Sequence, residues 1–455
     1  MTRRGKRRRG GSAGLALAVV LACTAAAGAE TLLITDVTVH PMTGAGPLEE
    51  HAVLVEADRI VAVAPATELA APAGARTIDG AGGFLIPGLG DMHVHLVRPA
   101  DAAAEAYDLA LYAAHGVTIV RSMWGSPWQL ELRRRLAAEG GFAPRLVLAG
   151  PGFGSADTLP AEAEARVRAQ AAAGWDLIKV HWNVRADTYA RILAVAGELD
   201  FEVSGHVPYP VPLDDALASR QRTIEHIDGF LRELDGAGRR LEPAALRRAA
   251  DRAKRAEVAV VPTMVAWEVY HHAVALDTLT ARPELAYVPA ERVARWVERY
   301  RRPPLEHLEA WAKALLRREN PRIIVENRRR LLAALDAAGV EVLFGTDASQ
   351  PFTVPGFAVV REMRAMRAAG LSNRRILESA TVAVGRYLGE PATVGVVAAG
   401  ARADLILLDA DPLVDLDALA TPRGVVVRGT WYDRARLDAI LRGVRQRHAD
   451  GSAGP

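Results

Sequence analysis

The apolar run Phe84-Leu85-Ile86-Pro87-Gly88-Leu89-Gly90-Asp91-Met92 ends in His93-Val94-His95. Residues two apart in a strand point to the same side, so both imidazoles leave the strand end on one face. That arrangement suits two ligands of one metal ion, although neighbouring histidines are often ordinary surface or packed residues. The meaning of this motif therefore depends on the sequence that follows it.

Four later strand-like segments each carry a candidate ligand. They are 176–180 with Lys179, 201–206 with His206, 222–226 with His226, and 341–347 with Asp347. Further strands are predicted at 116–122, 145–149 and 257–263, and helices at 101–114, 128–138, 161–173, 186–198 and 243–255. Eight strands that alternate with helices predict an α/β fold, a (β/α)8 TIM barrel, in which catalytic residues follow several strands.

These motifs resemble those of the amidohydrolase superfamily, over about residues 31–430. In that family a His-x-His follows strand 1, a carboxylated lysine strand 4, histidines strands 5 and 6, and an aspartate strand 8. Gly205-His206-Val207-Pro208 and Ile224-Glu225-His226 look most like the binuclear, prolidase-like branch, which includes Xaa-Pro dipeptidases.

The resemblance implies two divalent metal ions, with Zn²⁺ the first candidate. His93, His95 and Asp347 would hold one ion, His206 and His226 the other, and Lys179, as a CO₂-derived carbamate, would bridge them. A bridging hydroxide would attack the substrate carbonyl, and Asp347 would be the catalytic group that carries the proton to the leaving nitrogen. Imidazole nitrogen and carboxylate oxygen are the donors that such ions prefer.

Each candidate ligand also has a structural interpretation. Lys179 could be a salt-bridged lysine, His206 and His226 packed core residues, and Asp347 a helix N-cap. Glu225 points away from His226 in a strand and is interpreted as structural.

Three residues near strand ends, Tyr209, Arg121 and His181, are candidates for substrate contacts. Deaminases of the family usually carry a glutamate three residues after the strand-5 histidine, where this chain has Tyr209. The resemblance therefore favours hydrolysis of C–N bonds in small molecules such as Xaa-Pro-like dipeptides or N-acyl amino acids. A lactonase, esterase or phosphotriesterase-like hydrolase is an alternative, and a non-catalytic metal-binding barrel protein is an alternative of another class.

The flanks of the barrel predict a second domain. Residues 31–88 and 391–430 are rich in short β-type runs and should pair into one β-sandwich beside a barrel at 89–390, followed by a C-terminal helix and tail at 431–455. The barrel contains a helical insertion at 265–330. Its aromatic residues either pack the insertion onto the barrel or line the pocket: Trp267, Tyr270, Trp296, Tyr300 and Trp311.

Residues 1–29 predict a signal peptide, because six Arg or Lys residues precede a short apolar run and a small-residue cleavage site. The expectation is an exported protein, periplasmic or extracellular, with lipid anchoring at Cys23 and homo-oligomerisation left open. This segment holds six of the 56 basic residues of the chain and none of its 54 acidic residues. The remaining chain therefore has 50 basic and 54 acidic residues, a net charge of −4. No nucleic-acid partner is expected.

Overall fold

The computed structural model describes residues 30–96, 102–236, 238–302 and 321–449. The predicted signal peptide, Cys23 and Trp311 lie outside these residues. Among the described helices, none is both long and apolar enough to span a membrane.

The described strands fall into two groups, one at the chain ends and one in the middle. The strands are β1 Thr31–Val39, β2 Leu48–Glu56, β3 Arg59–Pro65, β4 Arg76–Pro87, β5 Leu89–Val94, β6 Val117–Ser122, β7 Arg145–Leu148, β8 Leu177–Val180, β9 Glu202–Gly205, β10 Gln221–Glu225, β11 Ala259–Val261, β12 Leu405–Leu408, β13 Gly424–Val427 and β14 Thr430–Asp433.

Helices separate the middle strands. They are α1 Ala102–Ala114, α2 Pro127–Glu139, α3 Pro160–Ala173, α4 Ala186–Glu198, α5 Leu213–Ala218, α6 Phe230–Glu233, α7 Pro243–Arg255, α8 Met264–Tyr270, α9 Leu276–Thr280, α10 Ala290–Arg301, α11 Pro321–Ala337, α12 Ala358–Ala368, α13 Asn373–Ala380, α14 Val382–Tyr387 and α15 Arg434–Ala449. Several begin with proline, whose missing N–H costs nothing in the first turn. The α/β class predicted from the sequence is confirmed.

The middle strands pair in parallel as β5-β6-β7 and as β8-β9-β10-β11. A bridge between Ala149 and Leu177 joins the two sheets, and a bridge between Val260 and Val342 joins β11 to the extended segment 341–347. That segment returns to β5, because the Met92 amide donates to the Phe344 carbonyl at 2.8 Å. The hydrogen bonds thus form a closed circuit of seven strands and one extended segment.

The segment 341–347 differs from the predicted eighth strand, because it makes single bridges instead of a continuous ladder. The Phe344 amide donates to the Ser379 carbonyl at 3.0 Å, away from β5. Buried Asp91 ties the segment to β5 instead, accepting hydrogen bonds from the amide and hydroxyl of Thr346 at 2.9 and 2.6 Å. This attachment places Asp347 beside His93.

Both chain flanks contribute to one seven-stranded sheet of order β14-β13-β12-β4-β1-β2-β3. β4 is the link between them, parallel to β1 and antiparallel to β12, with Leu85 opposite Leu407. The sheet curls around its own core, since the Ile60 amide donates to the Ala401 carbonyl at 2.9 Å. β4 then continues almost directly into β5, which carries the two histidines.

Candidate metal centre

A cavity of about 590 Å³ opens where the parallel strands end. All six predicted ligands line it: His93, His95, Lys179, His206, His226 and Asp347. They follow or end five different segments of the circuit, and parallel strands place their carboxyl ends at the same side. The structure therefore brings the six residues together; that they bind metal remains a prediction.

The tightest group consists of His93, His226 and Asp347, which each offer a ligand atom within 4.8 Å of the others. Oδ1 of Asp347 lies 3.5 Å from Nε2 of His93 and 2.9 Å from Nε2 of His95. The ring of His206 is centred 4.6 Å from that of His226. The resemblance had grouped His226 with His206; how the ligands divide between two ions stays a prediction.

Within the described part of the chain, three buried polar atoms of the centre lack a hydrogen-bond partner: Nε2 of His93, Nζ of Lys179 and Oδ1 of Asp347. The 2.9 Å approach of Asp347 to His95 is a close contact without hydrogen-bond geometry. Buried polar atoms are nearly always hydrogen-bonded, so each unsatisfied atom calls for an explanation. A borderline divalent ion would use the imidazole nitrogen and the carboxylate oxygen as donors. The residues present therefore fit a metal centre.

The backbone at the centre adopts uncommon conformations. His226 and Asp347 have φ of 62° and 59°, a region that non-glycine residues enter at a cost of about 1–3 kcal/mol. Gly205 has φ of 141°, and a Cβ there would lie 2.1 Å from the carbonyl oxygen of Val180. Only glycine fits so close to β8, and this contact sets the position of His206.

The outer ring nitrogen of three histidines is held by a neighbouring side chain. Nδ1 of His93 lies 2.6 Å from Oε2 of Glu225, Nδ1 of His206 lies 2.6 Å from Oδ2 of Asp228, and Nδ1 of His226 lies 2.6 Å from Oγ1 of Thr263. These contacts leave Nε2 of each ring for the cavity, as in metal-binding histidines oriented by carboxylates.

Sequence reasoning assigned Glu225 a structural part, and the structure adds its contact with His93. It missed Asp228 and Thr263. Thr263 is the last residue of the predicted strand 257–263, and a search for polar residues at the ends of predicted strands would have found it. Asp228 lies two residues beyond the predicted strand 222–226, so only a search that extended past the strand ends would have found it.

Burial controls the charge of the centre. It lowers the pKa of His93, His206 and His226 well below the usual value, so their rings are neutral, the form that binds metals. It also lowers the pKa of Lys179 to about 8, so more of this amine is unprotonated near neutral pH than that of an exposed lysine. Burial raises the pKa of Asp228 to about 6.

Of the three residues proposed to contact substrate, only His181 lines the cavity, with its ring centred 4.3 Å from that of His206. Tyr209 is 41% exposed and does not line this cavity, so its contact with substrate stays a prediction. Arg121 does not line the cavity either. It is fully buried and its guanidinium donates to Glu225, so the structure gives no support for a contact with substrate.

The aromatic residues of the insertion divide between the two expected roles. Trp267, Tyr270 and Tyr300 line the cavity. Trp296 is buried and packs on Phe352, with ring centroids 5.7 Å apart. Long-range packing decides which aromatic residue faces the cavity, and helical spacing alone does not contain that information.

The sequence profile of the Amidohydrolase family matches residues 84–432. Similar solved structures include a Bifidobacterium longum protein assigned as a prolidase, with 24% identity, 91% of this chain and 99% of the other covered, and a TM-score of 0.69. A bottromycin amidohydrolase has 24% identity over 92% and 90% of the chains, with a TM-score of 0.68. A Xaa-Pro dipeptidase with bound methionine has 18% identity over 89% and 100%, with a TM-score of 0.67. No curated protein sequence matches significantly. At these identities the structures support the fold alone.

Proposed function

The chain belongs to the amidohydrolase family and is a hydrolase acting on carbon–nitrogen bonds, and we propose that its activity depends on bound metal. We further propose that its substrates are dipeptides or N-acyl amino acids. The proposal includes two divalent ions, with Zn²⁺ the first candidate, and a carbamate on Lys179. We also propose that the closed circuit of strands is a (β/α)8 barrel and that the curled sheet is the β-sandwich beside it.

One observation carries the metal centre. Four histidines, a lysine and an aspartate from five segments line a single cavity, and three of their buried atoms have no hydrogen-bond partner among the described residues. A structural interpretation of the same residues would require those atoms to be paired. No carboxylate of the described residues is bound to Nζ of the buried Lys179 amine, so the salt-bridged alternative has no support.

Bound divalent ions would polarise the scissile carbonyl and acidify the attacking water. The chain's own residues supply the rest. Asp347, through its carboxylate, would accept the proton of that water and pass it to the leaving nitrogen. Glu225, Asp228 and Thr263 hold the rings of the ligating histidines in place.

The lining of the cavity supports small substrates with one apolar and one anionic part. Trp124, Trp182 and Trp267 provide flat apolar surface. Arg299 is the only arginine among the described lining residues. A guanidinium suits a carboxylate, which dipeptides and N-acyl amino acids carry and neutral esters and phosphotriesters lack.

The first test is elemental analysis of protein produced with zinc and bicarbonate. We expect about two ions per chain. Lys179→Ala should lose metal and most activity, whereas Lys254→Ala, which removes a surface lysine, should lose neither. Full activity with two ions in Lys179→Ala would contradict the carbamate, and metal-free wild-type protein would favour a non-catalytic barrel.

The second test examines proton transfer. Asp347→Asn should keep the fold and lose activity by orders of magnitude on dipeptides and N-acyl amino acids. Asp235→Asn changes an exposed aspartate in the same way and should behave as wild type. Near-normal turnover of Asp347→Asn would remove this residue from the mechanism, and turnover of lactones or phosphotriesters alone would favour the alternative hydrolases.

We also propose export, on the basis of the basic and apolar pattern of residues 1–29. Fractionation of producing cells should find the mature chain outside the cytoplasm. Labelling with a radioactive fatty acid, compared between the natural chain and Cys23→Ser, would decide whether a lipid anchor is present.

A further inference from the structure

Arg121, on β6, is the largest side chain among those that are fully buried, and it lies inside the circuit of strands below the metal centre. Its guanidinium is held on three sides. Nε donates to the Met92 carbonyl at 2.7 Å, Nη1 donates to the Tyr387 hydroxyl at 2.7 Å, and Nη2 donates to Oε1 of Glu225 at 2.7 Å. A charge so deeply buried is costly unless it is paired, so a specific reason for its presence is expected.

Glu225 connects Arg121 to the metal centre. The carboxylate is fully buried on β10; Oε1 accepts from Arg121, and Oε2 lies 2.6 Å from Nδ1 of His93. Thr223 also donates its hydroxyl to Oε1. Because both oxygens are engaged, the plane of the carboxylate is fixed, and with it the orientation of the His93 ring.

The opposite side of Arg121 is anchored at the other end of the circuit. Tyr387 on α14 accepts from Arg121 and donates its hydroxyl to Glu202, the first residue of β9. Tyr387 and Glu202 line a second cavity of about 500 Å³, where the parallel strands begin. A continuous set of hydrogen bonds therefore runs from this end through Arg121 and Glu225 to His93.

We propose that Arg121 is a positioning residue of the metal centre, which holds Glu225 in the orientation that directs Nε2 of His93 at the metal. This inference rests on the proposed metal centre but assigns a new part to a residue with no contact to the cavity. Arg121 acts only through Glu225, and Tyr387 supports the guanidinium from below. The predicted consequence is a dependence of metal affinity on a side chain that touches neither metal nor substrate.

The test compares metal affinity and apo-protein stability across variants. Arg121→Met should weaken zinc binding, measured by competition with a chromophoric chelator, by about 10–100-fold. Glu225→Gln should cause a loss of similar size. The double variant, with both Arg121→Met and Glu225→Gln, should bind zinc as tightly as whichever single variant binds it less tightly, because both residues act on the same His93 ring. Tyr387→Phe should cause a smaller loss in the same direction.

Matched controls separate positioning from ordinary stability. Arg145 pairs with Glu390 at 2.7 Å near the second cavity, away from His93. Arg145→Met should lower the melting temperature of the apo protein without changing zinc affinity. The visible spectrum of the Co²⁺-substituted protein should change in Arg121→Met and remain that of wild type in Arg145→Met, because the spectrum reports the ligand arrangement.

Wild-type zinc affinity in folded Arg121→Met, or losses that multiply in the double variant, would overturn the inference and leave the proposed function standing. A wild-type protein that binds no zinc would overturn the proposed function itself. If Arg121→Met alone does not fold, because Glu225 is left buried without its cation, Glu225→Gln and Tyr387→Phe carry the same comparison. Unchanged affinity in both would equally overturn the inference.

Discussion

Removal of the Asp228 carboxylate should destabilise the fold around the metal centre, because this group accepts hydrogen bonds from buried His206 and half-buried Trp182. Oδ2 of Asp228 receives one hydrogen bond from Nδ1 of His206 at 2.6 Å and one from the indole N–H of Trp182, in a site that is 8% exposed. Asp228→Ala leaves the ring N–H of buried His206 without its acceptor, at about 1–3 kcal/mol, whereas the half-buried indole of Trp182 contributes little more. The unfolding free energy should therefore fall by about 1–3 kcal/mol.

Metal affinity should decrease in both Asp228→Ala and Asp228→Asn, and the decrease should be larger in Asp228→Ala. Loss of a side chain that orients a ligating histidine typically costs about 10–100-fold in affinity, which is about 1.4–2.7 kcal/mol. Asp228→Ala should lie near the upper end. Asp228→Asn can present a carbonyl oxygen where Oδ2 was and loses only the charge, so it should lie near the lower end.

The assay is equilibrium zinc competition, with urea denaturation of the apo protein measured in parallel. Asp235, with a side chain 78% exposed, provides the matched controls Asp235→Ala and Asp235→Asn, which should match wild type in both measurements. Zinc affinity of Asp228→Ala within twofold of wild type would refute the argument that this carboxylate orients His206.

Three further changes test other features. Gly205→Ala should lower the unfolding free energy by more than Gly174→Ala in urea denaturation, because a Cβ at Gly205 meets the Val180 carbonyl whereas Gly174, also at positive φ, has open space; equal losses would contradict this. Burial raises the pKa of Glu362 from 4.5 to about 8, so the folded state holds a proton that the unfolded chain has released. The resulting stability is complete below about pH 4.5 and is lost as pH rises to about 8, so Glu362→Gln should flatten the fall of unfolding free energy across that interval; an unchanged slope would argue against it. Arg299→Gln should raise KM about tenfold or more for N-acyl amino acids but not for their carboxamides; an equal effect on both would rule out carboxylate recognition.

The arrangement of the parallel strands and the six residues at their ends could be predicted from local sequence. Short apolar runs that end in polar residues are sufficient to place Lys179 and His206 at the same edge. The side of β6 from which the Arg121 side chain projects could not be predicted. Every residue of β6 is buried, so the strand shows no alternation of apolar and polar residues to indicate which side faces the cavity.

The supporting residues of the centre depend on contacts between distant segments. Thr263 and His226 are 37 residues apart and meet only because β10 and β11 pair. Asp228 contacts His206 after the chain reverses beyond β10, where His226 has a left-handed backbone. Such conformations are set by tertiary packing, and local propensity gives no indication of them.

The pairing of β4 with β12 has a consequence for how the chain is made. Leu85 pairs with Leu407, which the ribosome adds more than 300 residues later. The backbone hydrogen-bonding groups on this edge of β4 therefore have no partner strand during most of translation. A chain that is released or cut before residue 405 keeps that edge and cannot cover the apolar face of β1 and β4. The pairing therefore makes completion of synthesis a condition for the native state, and prematurely terminated chains should be recognised as misfolded by chaperones and proteases.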